Sequence, residues 1–322
     1  MHEKIQIKET MMKKQILSLL IAFLFLTGCS SGEMLLLGTA PRGGVYYSFG
    51  VVFSDIARYD GLNINVRETS GSSANLRLLS KGYIQTGIAQ SDQITHAYTD
   101  TDSPLQGYSA VASLYDEAVM IVVRADSDIQ SVEDLYGRSI SIGEPESGSA
   151  QNAREVLQSY GLTPQNYTSN NLGYSDAVNA LREKKIDAMF LTASPNSELL
   201  ADLDHDVPIR LLSIDDKILE RLWTVYPYFS DVRIPKELFR GMNEDARTVG
   251  VRSILLAADT LSEDTVYLLT SILFSHASEF DVYLNSQLSV KPESALEAIT
   301  IPLHKGALKY YDEHGFDTRF LR

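Results

Sequence analysis

Leu35–Gly50 reads LLLGTAPRGGVYYSFG: a short apolar run, a turn carrying two adjacent glycines, then apolar residues at helical spacing. A strand that ends in glycine and hands over to a helix is the opening of a strand–helix–strand unit. Gly43 and Gly44 permit a positive φ or close backbone approach. The helix start behind them presents unpaired N–H groups, which suits a small anion such as a carboxylate. A tight turn without a ligand is the alternative. A nucleotide loop is excluded, because Val45 and Tyr46 stand where Gly-Lys-Ser/Thr would need its ammonium and hydroxyl. Gly38, Gly43, Gly44 and Gly50 also miss the dinucleotide spacing.

The same arrangement recurs downstream. ETSGSSANL (Glu68–Leu76) and GEPESGSAQ (Gly143–Gln151) place small polar residues after a strand and before a helix, and IAQSDQ (Ile88–Gln93) puts Gln90, Ser91 and Asp92 at another strand end. Ligands of open α/β sheets sit outside the carboxyl ends of the strands. Four such ends, three from one part of the chain and one from another, predict a binding cleft between two lobes.

Around these loops the chain alternates. Strands are expected at Glu33–Gly38, Leu62–Glu68, Tyr83–Ala89, Ala110–Arg124, Ser139–Gly143, Ile186–Thr192 and Val207–Ser213. Helices are expected at Tyr46–Tyr59, Ala74–Ser80, after Ser147 as far as Gly161, and at Asp176–Glu183. SVEDLYG reads as a short helical turn with Asp134 three residues after Ser131. TVGVRSILLAAD then returns the chain to its first part. A helix over Ser262–Phe280 with Thr260 and Glu263 as capping box, one over Ala295–Ile299, and HKGALKYYDEHG complete the chain. The expected fold is α/β: two lobes built on largely parallel sheet, periplasmic-binding-protein-like, with a hinge and an interlobe ligand cleft. Residues 29–120 and 249–322 form lobe 1 and residues 121–248 lobe 2, with crossings near Glu117–Val122 and Arg247–Ile254.

Residues 1–28 stand apart. Lys13 and Lys14, the apolar run Ile16–Leu26 and LTGC ending at Cys29 have the layout of a secretory leader. The run is about half a membrane span. Cys29, the only cysteine, marks a lipoprotein site by resemblance to lipoprotein precursors; a plain signal peptide is the alternative. MHEKIQIKET ahead of Met11 is unusual for a leader and raises a start at Met11. Lipidation at Cys29 implies an extracytoplasmic, membrane-anchored product, and anchoring by one acyl chain would be marginal.

The formal charge of −14, more negative once the leader is removed, argues against nucleic-acid partners. A chain of 322 residues with no second cysteine has neither a disulfide nor a zinc cluster to offer. His96, His205, His276, His304 and His314 are scattered without metal-ligand spacing, and no Gly-x-Ser-x-Gly elbow is present. No catalytic residue, metal or cofactor is expected, and the chain reads as a binding protein rather than an enzyme.

LGTAPRGGVYYSFG, ETSGSSANLRLLSKGYIQTGIAQSD, LYDEAVMIVVRADSDIQSVEDLYGRSISIGEPESGSA, ALREKKIDAMFLTAS and PLHKGALKYYDEHG, in this order, resemble the TAXI family of TRAP-transporter solute receptors, from about Met34 to Gly315. The resemblance implies an extracytoplasmic receptor that captures a small amino or carboxylic acid, such as glutamate or glutamine, and delivers it to a sodium-coupled permease. By position it implies ligand contacts from Thr39, Gly43, Gly44 and Tyr46, from Ser70, Gly71, Ser72 and Asn75, and from Gln90, Ser91 and Asp92. Tyr115 and Glu117 lie near the first crossing, and Ser147, Gly148, Ser149, Thr192 and Ser194 come from the opposite lobe. His304, Gly306, Ala307, Tyr310 and Tyr311 match a terminal helix signature that reads as packing.

Arg42 and Ser194 depart from the family pattern, which carries small residues there. Arg42 at the mouth is expected to turn inward as a bidentate carboxylate contact; a direction toward solvent is the alternative. Other functions keep the same cleft: an ABC-transporter binding protein for another solute, a sensory binding protein, or a hydrolase.

Overall fold

Two long strands set the frame of the computed structural model, which describes residues 34–102, 104–284, 288 and 290–322. The leader and Cys29 lie outside these residues. The first elements are β1 (Leu35–Gly38), α1 (Val45–Tyr59), β2 (Ile64–Arg67), α2 (Ser72–Ser80), β3 (Thr86–Gln90) and α3 (Ser91–Thr99). The first long strand, β4 (Tyr108–Arg124), leads into β5 (Ser139–Ser141), α4 (Gly148–Ser159), β6 (Thr168–Asn170), α5 (Tyr174–Arg182) and β7 (Ala188–Ala193). Next come α6 (Glu198–Asp206), β8 (Ile209–Leu211), α7 (Asp216–Val225) and β9 (Ser230–Ile234). The second long strand, β10 (Ala246–Ala258), returns the chain to α8 (Glu263–Ser275), α9 (Ala277–Tyr283) and α10 (Lys305–Glu313).

The strands form one mixed sheet in the order β2-β1-β3-β10-β4-β7-β5-β6, with β8 on β4 and β9 on β10. Its outer parts are parallel, β1 with β2 and β3, and β5 with β6 and β7. The centre is antiparallel, because β10 returns against both β3 and β4, and β4 runs against β7. The expectation of a largely parallel sheet therefore holds only away from the centre. With flanking helices, this is an α/β fold of the periplasmic-binding-protein type.

The cores change over along the two long strands. One core takes β4 up to Tyr115 and β10 from Ile254 onward, together with α1, α8 and Tyr311. Two further cores begin at Ala118 and Val119 and lie around β7. In α1, Val45, Tyr46, Phe49, Phe53, Ile56 and Ala57 are buried at helical spacing, and Phe49, Phe53 and Phe280 meet at 5.1–5.9 Å between ring centroids. The terminal helix is packed: the Tyr311 hydroxyl donates to the Val111 carbonyl at 2.9 Å, and the His304 ring accepts from Gly306 N.

Three expectations near the C-terminus are corrected. The helix over Ser262–Phe280 is two helices, broken at His276, whose ring is held between Asp60 (2.9 Å) and Glu279 (2.6 Å). The cap is Ser262, which accepts from Thr265 N, and not a box of Thr260 with Glu263. Ala295–Ile299 is not a helix: a single 3-10 turn, Pro292–Ser294, precedes it and Ala298 adopts φ 56°. A segment this short cannot offset the cost of helix nucleation. The Ser131–Asp134 motif does form in part, with Asp134 accepting from the N–H groups of Gln130 and Ser131.

Gly306 marks where α10 crosses α8 backbone to backbone; a Cβ there would overlap the Glu263 carbonyl and lie 2.6 Å from Tyr267 N. Gly306→Ala is expected to destabilise the fold by about 1–3 kcal/mol, as overpacking does. Thermal denaturation should show a Tm lowered by several degrees, and an unchanged Tm would mean the helices separate freely.

Candidate functional site

The strand-end loops converge on a single cavity. Its wall is formed by Ala40, Pro41, Gly44, Val45, Tyr46, Ser70, Gly71, Ser72, Gln90 and Glu117 from one side. Glu144, Ser147, Gly148, Ser149, Gly173, Tyr174, Thr192 and Ala193 close it from the other. The space open to the centre of a water molecule is about 30 Å³, enough for a few atoms with the walls as they stand.

Each loop is braced before it reaches the cavity. Gly43, at φ 87°, makes the turn that lets Gly44 start α1. Asn75, fully buried on α2, donates to the carbonyls of Thr39 (2.6 Å) and Ile88 (2.8 Å), tying the ends of β1 and β3 together. The Ser72 hydroxyl accepts from Gln90 N at 3.1 Å. Ser147 caps α4 by accepting from Ala150 N at 3.1 Å. Ser149 accepts from Thr192 N (2.9 Å) and lies 2.6 Å from the Tyr174 hydroxyl.

Glu117, from β4, stands in the wall with 3% of its surface exposed. Burial pushes its carboxyl up to about 8, although the Tyr46 hydroxyl donates to it at 3.0 Å and opposes the shift. The same burial raises the hydroxyls of Tyr46, Tyr115 and Tyr174 above their ordinary range. Gln90 is buried beside Glu117 and leaves its Oε1 without a partner.

Contacts across the cavity hold its two sides together. Arg77 on α2 forms a bidentate pair with Glu146 at 2.9 and 2.7 Å, and Ala74 N donates to the Glu146 carbonyl. Asp92 accepts from Asn152 at 2.7 Å, and Asn152 accepts from the Thr192 hydroxyl at 3.1 Å. Desolvation raises Asp92 to about 6. His96 lies 2.7 Å from the Tyr228 hydroxyl, which donates to Glu155; the Glu155 carboxylate raises the His96 ring above its usual value.

Of the residues singled out from sequence, Gly44, Tyr46, Ser70, Gly71, Ser72, Gln90, Glu117, Ser147, Gly148, Ser149 and Thr192 are in the wall. Thr39, Gly43, Asn75, Ser91 and Asp92 lie behind it: Thr39 donates to the Arg67 carbonyl and Ser91 accepts from Arg252 N. Tyr115 and Ser194 line a different, open depression with Arg252. Arg42 corrects the inward expectation. Its side chain is 74% exposed, its Nε donates to Glu68 at 3.1 Å, and its guanidinium lies over the Tyr47 ring. Ala193, beside Thr192 at the same strand end, is in the wall as well, whereas Ala40, Pro41, Val45, Glu144, Gly173 and Tyr174 were missed. Tyr174 carried the signal used elsewhere, a glycine at a helix start, in the stretch LGYSD.

Among the described residues no group of three His, Cys, Asp or Glu could hold a metal ion, and no helix is long and apolar enough to cross a membrane.

The profile of the NMT1-like family matches residues 37–315, and the chain belongs to that family. Solved structures share the fold at low identity. A protein of Bordetella bronchiseptica RB50 is 16% identical with a TM-score of 0.54, over 87% of this chain and 82% of its own. A structure described as a periplasmic transporter is 15% identical, also with TM-score 0.54, over 87% of this chain and 94% of its own. The periplasmic aliphatic sulphonate binding protein of Escherichia coli is 17% identical with TM-score 0.44, over 88% and 84%.

Two outcomes follow from the geometry. Arg42→Ala, which removes an exposed pair, should change stability by under about 0.5 kcal/mol in denaturant titration. Glu117→Gln tests the buried acid. Unfolded, this carboxyl ionises near 4.5, and folded near 8, so between those values the native state keeps a proton that the unfolded chain releases. Its contribution is fully present below about pH 4.5 and is lost as pH rises toward 8. The glutamine variant should therefore gain stability relative to wild type on going from pH 5 to pH 8, by the order of a few kcal/mol. Parallel pH profiles of Tm would contradict the assignment.

Proposed function

We propose that this NMT1-like chain is an extracytoplasmic solute-binding receptor that closes around a small organic acid or amino acid and delivers it to a membrane permease. The observation that carries the reading is the meeting of four helix starts, those of α1, α2, α4 and α5, at one cavity with hydroxyl and carboxyl groups in its wall. Such helix ends supply N–H donors and partial positive charge without a metal or cofactor. The shared fold with a periplasmic transporter supports a transport role.

The finer reading is a receptor of the TAXI type serving a TRAP permease, supported by the ordered motifs from Leu37 to Gly315. The fold carries no preference for a permease class, so delivery of another small solute to an ABC permease is the second reading. Lobes divided near residues 120 and 248 are supported by the core changeover on β4 and β10. Lipid attachment at Cys29, supported by LTGC, would keep the receptor at the membrane face and raise its effective concentration at the permease.

Closure is the mechanism: the solute stabilises the form in which the two sides meet, and the hinge lies where β4 and β10 pass between them. Gly148 is the point of closest approach, since a Cβ there would overlap the Gln90 amide. Gly148→Ala should weaken solute binding by about 1–3 kcal/mol, because the form in which the two sides meet no longer accommodates the Gln90 amide; calorimetric titration checks it. Small-angle scattering with and without solute checks the motion directly. A radius of gyration unchanged by a bound solute would reject closure.

A further inference from the structure

Behind the cavity wall, the contact of α3 with α4 joins two cores and is polar at its centre. Ile94 of α3 belongs to one core, while Ala153, Val156 and Leu157 of α4 belong to another, against which Tyr228 also packs. Between them lie two carboxyl groups, Asp92 and Glu155, both buried. Asp92 Oδ2 accepts from Asn152 (2.7 Å) and Gln93 (2.8 Å), and Glu155 Oε1 accepts from Tyr228 (3.0 Å) and Gln151 (2.9 Å). Their other oxygens, Asp92 Oδ1 and Glu155 Oε2, are buried with no partner. An unpaired buried carboxylate oxygen is costly, and a bound proton is the smallest group that removes the cost. Among the described residues no third ligand completes a metal site here.

No lysine or arginine among the described residues pairs with either acid. Arg77 is committed to Glu146, and Arg252, beside α3, to Asp116 and Glu297. Arg154 reaches Gln151, and Arg221 bonds the Ser159 carbonyl. The cation within reach is His96, one turn after Asp92 on α3. Its Nε2 lies 3.5 Å from Glu155 Oε1 and 2.7 Å from the Tyr228 hydroxyl. That hydroxyl gives its proton to Glu155, so it accepts from His96. The His96 side chain is partly open to solvent, in a depression that Asp100 shares, and protons exchange there. We propose that this contact is a proton-binding site completed when the two sides of the cavity meet. Asp92 and His96 carry the protons on α3, and Asn152, Glu155 and Tyr228 hold them from the opposite side. The site is separate from that of the solute; its consequence, a closure that acid favours, rests on the receptor reading above.

Both groups act in one direction. Burial, with the Glu155 charge adding to it, raises Asp92 to about 6 against the donors Gln93 and Asn152. The Glu155 carboxylate raises the His96 ring above 6.5 against its partial burial, and Asp92 adds to the effect. Burial holds the Tyr226 and Tyr228 hydroxyls above their ordinary range, so they stay protonated throughout. With the sides apart, Glu155 no longer faces α3 and water reaches Asp92, which then ionises nearer 3.8, and His96 nearer 6.5. Closing therefore takes up protons, through Asp92 between 3.8 and about 6 and through His96 just above 6.5. The advantage of the closed form is complete below the open-form values and is lost as pH rises through the closed-form ones. Each proton taken up raises the closed-to-open ratio by up to about tenfold per pH unit of acidification. Glu117, the other buried acid coupled to Asp92, is raised as well and adds its own response.

Small-angle scattering of the mature chain without added solute, at fixed ionic strength between pH 8 and pH 5, tests this, with every comparison made in a Glu117→Gln background. The radius of gyration is expected to fall on acidification as the closed fraction rises, by up to about tenfold per pH unit. Adding His96→Gln should remove the part of the change above about pH 6, and Asp92→Asn the part below it. With both added, the radius should no longer respond to pH. A response that survives both is loss of net charge alone and overturns the proposal, as does a radius independent of pH before either is added. NMR titration of the His96 ring in wild type keeps the test valid if the variants do not fold: a value above 6.5 is expected, and one at or below 6.5 overturns the site. A solute, from a panel of amino acids, carboxylates and sugars, that compacts the Glu117→Gln protein at the same concentration at pH 5 and pH 8 would leave the receptor reading standing and sink this proposal. If acid compacts the protein and no solute does, the proton site stands and the receptor reading fails.

Discussion

The antiparallel pairing of β4 with β10 is the constraint on which the rest depends. The two strands are neighbours at the centre of the sheet, with β3, β1 and β2 beyond β10 and β7, β5 and β6 beyond β4, so the cavity loops of both sides are positioned relative to this one ladder. β10 keeps β4 beside it from Gly250 to Ala258 and exchanges β9 for β3, while β4 leaves β10 after Ala118 for β7 and β8. Their near-continuous apolar sequences reflect burial on both faces, as in any central strand. The register shift at Ser253–Ile254 falls where the cores change over, and a second follows at Leu255–Leu256. Irregular pairing of this kind bends a strand and increases its local twist.

Glu117 sits on that ladder, opposite Val251, and this explains how an acid comes to be buried. A strand common to both sides of the cavity must present some side chains into it. Glu117 is one, supported by the Tyr46 hydroxyl rather than by a cation. An unpaired buried acid lowers stability at neutral pH by favouring its protonated form. Strain of this kind collects at sites where a ligand relieves it. The frame around it is bonded from side to side: Asn75 ties Thr39 to Ile88, and Asn152 bridges Asp92 to Thr192.

The contacts across the cavity differ in kind from the cores. They are polar: Arg77 with Glu146 and His96 with Tyr228 are partly exposed, whereas Asp92 with Asn152 is buried, and exposed ion pairs contribute little each.

The sequence by itself determined the alternation of strands and helices, the loops at the strand ends, and most of the wall. These are local matters: periodicity of apolar residues in α1 and β7, and the conformational freedom of Gly43 and Gly71 at their turns. α6, α7 and β9 escaped notice because α6 and α7 bury few residues each and β9 is mostly exposed, leaving a weak pattern. The break at His276 depends on Asp60, more than two hundred residues away, and no local propensity encodes it. Arg42 shows the same limit. Its place at the mouth was legible, but its direction was decided by Glu68 and the Tyr47 ring, because a long charged side chain follows its partners and solvent. Tertiary structure alone decided that the centre of the sheet is antiparallel, that Asp92 and Asn75 brace the wall rather than form it, and that Tyr174 completes it. Each of these turns on which distant segments meet, and local sequence carries no record of that meeting.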